Sequence, residues 1–98
     1  MNCDLRDPWR ELELAFDCGV KFRILKHLLL NYNETFTKYA LMKATGIKSH
    51  AVEEHLKVLV DLGWVKEYAY NPSTYRVNLE DPIVIGLLEF FRRVRALR

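Results

Sequence analysis

The chain has 98 residues, half of them hydrophobic, and a formal net charge of +2. That describes one domain with one core, too apolar and too poor in Gly and Pro for a disordered, collagen-like or linker chain. Its longest apolar runs, Leu28 to Leu30 and Ile83 to Leu88, fall far short of the roughly 20 residues of a membrane span, and no basic-then-apolar leader opens it, which predicts a cytoplasmic, intracellular protein.

Asp7-Pro8 reads as a helix cap followed by the first helical position. Trp9, Leu12, Ala15 and Phe16 then recur at helical spacing, and Gly19 weakens or ends that helix. A second helix is predicted over 21–31, with Phe22, Leu25, Leu28 and Leu29 inward and Ile24 beside them. Residues 34–37 read as a short extended segment, a candidate edge strand. Thr37 can cap a third helix over 38–45, with Ala40, Leu41 and Ala44 inward, and Gly46 closes it as a left-handed cap. After Ile47 a fourth helix starts at Lys48 or Ser49, the latter a candidate cap. It runs to Leu62, burying Val52, Leu56, Leu59 and Leu62, and Gly63 stops it.

Residues 64–70 alternate and are rich in aromatic and β-branched types, so they read as a strand. Asn71-Pro72-Ser73-Thr74 is a turn, and residues 75–79 form the returning strand with Tyr75, Val77 and Leu79 on one face. Asp81-Pro82 repeats the cap-plus-proline signal and predicts a last helix over 82–97. This helix is unusually apolar. Ile83, Val84, Leu87, Leu88, Phe91 and Val94 make one broad stripe, widened by Ile85, Phe90 and Leu97. One core cannot easily bury all of that from one side, and apolar surface left over marks an interface. The reading is a homodimer whose interface includes Trp9, Leu12, Phe16, Leu87, Leu88 and Phe91.

Charge is segregated along the chain. Residues 1–18 are net acidic, residues 19–47 are basic through Lys21, Arg23, Lys26, Lys38 and Lys43, and the tail carries Arg92, Arg93, Arg95 and Arg98. Gln is absent and Ser occurs only at 49 and 73, a composition that leans towards a thermophilic source. That source would permit a disulfide inside a cell. For Cys3 and Cys18 three states stay open: two reduced thiols, a bridge within one chain through a taut reversal at Asp7-Pro8, and an unstrained bridge between two subunits.

The order is helix, short strand, helix, tight turn, helix, hairpin, helix. With Thr45-Gly46-Ile47, then Val52, His55-Leu56, Leu59, Leu62-Gly63-Trp64-Val65 and Tyr75-Arg76-Val77, the chain resembles the small dimeric winged-helix transcription regulators of archaea, their viruses and bacteria. The resemblance covers residues 20–79; the flanking helices match in position only. It implies a mainly α fold with a small β-hairpin (α+β), a winged helix-turn-helix. In this reading 1–19 is an N-terminal dimerisation helix, 20–79 the winged-helix core and 80–98 a C-terminal dimerisation helix.

In that family the helix after the turn enters the major groove of double-stranded DNA. Carried onto this sequence, the outward positions are Lys48, Ser49, His50, Glu53, Glu54 and Lys57. The wing contributes Lys66 and Arg76, with Asn71 and Ser73 at its tip, and Lys38, Tyr39 and Lys43 suit backbone contacts beside the groove. Glu53 and Glu54 depart from the pattern, since phosphate repels them. One carboxylate can accept from cytosine N4, and Glu53 can pair with Lys57 four residues on. The expectation is a sequence-specific DNA-binding transcriptional regulator, with a winged-helix protein-interaction module as the alternative.

Enzyme chemistry finds no support. The four glycines are isolated, so no phosphate loop exists. His50 and His55 stand about 140° apart on a helix and cannot share a metal as an i, i+4 pair would. Cys3 and Cys18 lack finger spacing. No catalytic residue, metal, cofactor or small-molecule ligand is expected, and His27 reads as a helix-surface residue.

Overall fold

A computed structural model of the chain describes Trp9, Arg10, Ala15 and residues 19–94. The architecture is α+β. Among the described residues it comprises α1 (Gly19–Leu30), β1 (Phe36–Thr37), α2 (Lys38–Thr45), α3 (Ser49–Asp61), β2 (Val65–Tyr68), β3 (Thr74–Val77) and α4 (Pro82–Arg93). The strands form one antiparallel sheet in the order β1-β3-β2. Phe36 faces Tyr75 across β1 and β3, and Val65 faces Val77 across β2 and β3. The extended 34–37 segment is thus an edge strand of two residues. Among the described residues no helix is long and apolar enough to cross a membrane.

Local chemistry sets the boundaries. Thr37 accepts from the Ala40 N–H at 3.0 Å, satisfying one of the orphan donors that open a helix. Gly46 (φ 72°) ends α2 in the left-handed conformation, its N–H on the Met42 carbonyl at 2.9 Å, and Gly63 (φ 83°) follows α3 in the same way. The carboxylate of Asp81 accepts from the N–H groups of Ile83 and Val84, and Pro82 begins the helix where no donor is needed. α1 begins at Gly19, two residues ahead of the start predicted at Lys21.

The core is apolar throughout: among the described residues no polar or charged residue is buried. Ile24, Leu28 and Leu29 of α1, Leu41 of α2, and Val52, Leu56 and Leu59 of α3 meet Val65, Val77 and the inner face of α4. Ile24 is fully buried and central, while Phe22 is only half-buried. Ala44 and Leu62, expected inward, are exposed. Each lies at the end of its helix, where the turn that follows leaves the core. His27 is not a plain surface residue. Its ring meets Phe36 edge-on at 4.8 Å, and burial holds its pKa below the usual value, with Glu34 opposing.

Trp9 seals the bottom of the core. It stacks on Phe91 with centroids 3.7 Å apart and touches Phe22 at 5.7 Å, while the Lys26 ammonium lies 5.9 Å from its ring. Trp9, Leu88 and Phe91 were expected at a dimer interface. All three are instead buried inside the chain's own core, because Trp9 folds back on the inner face of α4. Leu12, Phe16, Cys3, Cys18, Arg95, Leu97, Arg98 and the Asp7-Pro8 cap lie outside the described residues.

Candidate nucleic-acid interface

The connection between α2 and α3 is three residues long, Gly46-Ile47-Lys48. Ile47 is buried and pins it. The Thr45 hydroxyl donates to the Leu41 carbonyl at 2.6 Å and accepts from the Ile47 N–H at 3.3 Å. A Cβ at Gly46 would meet nothing within 4 Å. The glycine is therefore required by its positive φ and not by crowding. Tyr39, Met42, Lys43, Gly46, Ile47 and Lys48 line an open cleft of about 400 Å³ at this turn. The Lys43 ammonium lies 5.6 Å from the Tyr39 ring, holding one cation beside the cleft.

The N-terminus of α3 carries no side-chain cap. Its cap residue is Lys48 and not Ser49, and the Ser49 hydroxyl makes no capping bond. The first N–H donors of the helix thus lack a side-chain acceptor, where the helix dipole favours an anion. His50, next along, has 88% of its side chain exposed, with Nε2 3.4 Å from Glu54 Oε2.

Two further cations, Lys38 and Lys66, already hold carboxylates. Lys38 donates to Glu53 Oε2 at 2.8 Å, and this bond holds the Glu53 pKa below the usual carboxylate range. The pairing of Glu53 with Lys57 expected from helix spacing is thereby replaced. A cation reaching in from α2 wins over the neighbour on the same helix. Lys57 is exposed and lines a cleft of about 500 Å³ together with Lys38, Glu53, Asp61, Glu67 and Tyr75, so acids outnumber bases around it.

On the hairpin Lys66 stands directly opposite Arg76 in the strand register. Like charges placed so repel one another. Glu80, just beyond β3, relieves this by accepting from Lys66 at 2.7 Å. That bond raises the Lys66 pKa and lowers that of Glu80. One register step further, the Tyr75 hydroxyl donates to Glu67 Oε2 at 2.9 Å. Burial first, then this bond, push its pKa up to about 12. Toward the tip, where the Asn71–Pro72 bond is cis, Tyr68 and Tyr70 stack at 6.3 Å.

Glu80 and Glu67 were not singled out from the sequence. The cross-strand position of Glu67 follows from the hairpin register, so it was within reach. Glu80 lies 14 residues from Lys66, and no local rule joins them. Among the described residues no group of three His, Cys, Asp or Glu could hold a metal ion. Comparison with protein-family models, with curated proteins and with solved structures finds no match.

Proposed function

We propose that the chain is a winged-helix, sequence-specific double-stranded DNA-binding protein that regulates transcription inside the cell as a homodimer. The observation that carries this reading is the opposition of Lys66 and Arg76 on the hairpin. Two cations held face to face cost stability unless anions offset them, and one intramolecular carboxylate, Glu80, serves only the first. A duplex phosphate would serve both. The uncapped start of α3, with Lys48 and the exposed His50, adds donors suited to phosphate and base edges. The element order and the left-handed turn at Gly46 agree with the resemblance noted from the sequence. The ion pairs of Lys38 and Lys66 involve exposed groups. Such pairs hold weakly and exchange readily for phosphate.

In this reading Lys38, Lys43, Lys66 and Arg76 contact phosphate, and Lys48, Ser49, His50, Glu53 and Lys57 read bases. A gel shift on random duplex at low salt tests it, followed by selection of bound duplexes from a random pool. Lys66→Ala weakens binding to every sequence alike. His50→Ala changes the preference among sites, by about 1–3 kcal/mol at the contacted base. No shift at about 50 µM protein, well inside the range of non-specific binding, overturns the proposal. The acid-rich cleft around Lys57 favours a second reading, a winged-helix module that binds a basic protein segment. A negative gel shift would point there.

A further inference from the structure

Helix α4 carries two apolar stripes, and among the described residues the core uses one. Val84, Leu88 and Phe91 are buried. Ile83, Leu87, Phe90 and Val94 lie roughly 100° further round, by the angle of about 100° that each helical residue turns. Their steps are four, three and four residues, the alternation of a helix–helix seam. Ile83 is 53% exposed, Phe90 46% and Val94 39%, and Leu87 is half-buried. The seam opens on a groove of about 400 Å³ walled by Phe22, Leu25, Leu62 and Trp64 together with Leu87 and Phe90.

We propose that the α4 of a second copy of this chain covers this seam, antiparallel, about a two-fold axis passing between Leu88 and Glu89. Reversal about that point carries the seam onto itself. Leu87 then meets the partner's Phe90, and Ile83 meets the partner's Val94. An isologous interface demands this self-complementarity. Charge agrees. Glu80 and Asp81 stand at the N-terminal end of α4 and Arg93, at the flank of the seam, at its C-terminal end, so antiparallel pairing brings ends of opposite charge together and opposes the two helix dipoles. Gly86 flanks the seam, and a Cβ built there meets nothing within 4 Å, so the approach is open.

Area agrees as well. Taking about 150–200 Å² for a fully open side chain, the exposed parts of Ile83, Leu87, Phe90, Val94, Leu62 and Val58 offer roughly 400 Å² per chain. Two copies offer on the order of 800 Å² of apolar surface, against about 700 Å² in a specific interface of about 1,200 Å². This deepens the pairing in the proposed function, names its surface and register, and does not depend on DNA.

The test is sedimentation equilibrium of the full chain at about 10–100 µM in reductant, so that no disulfide can hold a pair, and without DNA. A dimer is expected. Phe90→Glu raises its dissociation constant at least about thirtyfold, whereas Ile85→Glu, on the far side of α4, leaves it unchanged. Ile83→Lys and Val94→Glu each weaken pairing, and the two combined restore it, because the antiparallel register sets them against each other. A monomeric wild type, or a Phe90→Glu dimer as tight as wild type, overturns the proposal. A double variant weaker than both singles overturns the register. The charge-swap set keeps the test decisive should Phe90→Glu fail to fold. A gel shift on the same samples separates the two ideas: retained DNA binding without a dimer sinks only the seam, and a dimer without DNA binding sinks only the DNA reading.

Discussion

The charged face of the molecule, made by α2, α3 and the hairpin, and the apolar face, made by α4 and its groove, leave different things unfinished. On the charged face Lys38 and Lys66 already hold carboxylates, at 2.8 and 2.7 Å. On the apolar face Ile83, Phe90 and Val94 stand in solvent beside a groove of about 400 Å³. Exposed ion pairs exchange partners at small cost, and salt screens them. Exposed apolar surface has no partner to exchange and keeps its drive to be covered at any ionic strength. Under the two proposals the first face captures a polyanion reversibly and the second holds a lasting association.

Salt breaks this comparison most sharply. If Lys38, Lys43, Lys66 and Arg76 of two copies make about eight phosphate contacts, as proposed, duplex affinity falls about 10³–10⁵-fold between 50 and 200 mM salt. Dimerisation measured over the same range stays level or tightens. Equal salt slopes for both processes would erase the distinction between the faces.

Next in size is the residue beneath the apolar face. Trp9→Ala removes the ring stacked on Phe91 and costs about 3–5 kcal/mol of stability, read from urea unfolding of the full chain. A loss below about 1 kcal/mol would show that Trp9 does not close the core.

Gly46→Ala probes the charged face by its backbone alone. The added methyl has room, so the cost is that of a left-handed residue, about 1–2 kcal/mol. Unfolding of the free protein measures it. An unchanged midpoint would mean the turn does not need φ > 0.

The smallest effect is a pH response. The folded pKa of His27 is depressed, burial outweighing Glu34. The unfolded chain therefore binds the proton more readily. Stability from this group is whole above the unfolded value of about 6.5, and it is lost as pH falls through the folded value. Thermal melts from pH 8 to 5 should decline over the acid end, and His27→Gln should flatten that decline. A decline unaltered by His27→Gln would place its origin in another group.

What could be read from sequence shared one property, short range. The Thr37 and Asp81 caps, the Gly46 and Gly63 stops and the buried positions Val52, Leu56 and Leu59 each follow from a few neighbouring residues. The site was legible only as candidates. Helix spacing offered Lys57 to Glu53, yet Lys38, 15 residues away, took it. Nothing local could foresee that Glu80 would answer the cation pair on the hairpin. Helical periodicity likewise showed that α4 was too apolar for one core and drew one broad stripe. It could not divide the stripe, because Trp9 claims Phe91 and so turns Ile83, Leu87, Phe90 and Val94 toward the groove and solvent.

The sequence by itself determined the α+β class, the order of the elements, the caps at Thr37 and Asp81 and the stops at Gly46 and Gly63, since capping, turn geometry and periodicity act over one to four residues; it overran the end of α4, read to 97 and ending at Arg93. Only the tertiary structure decided which charges meet and which apolar residues remain uncovered. Those outcomes depend on groups brought together from distant parts of the chain, and burial and ion pairing respond to distance in space.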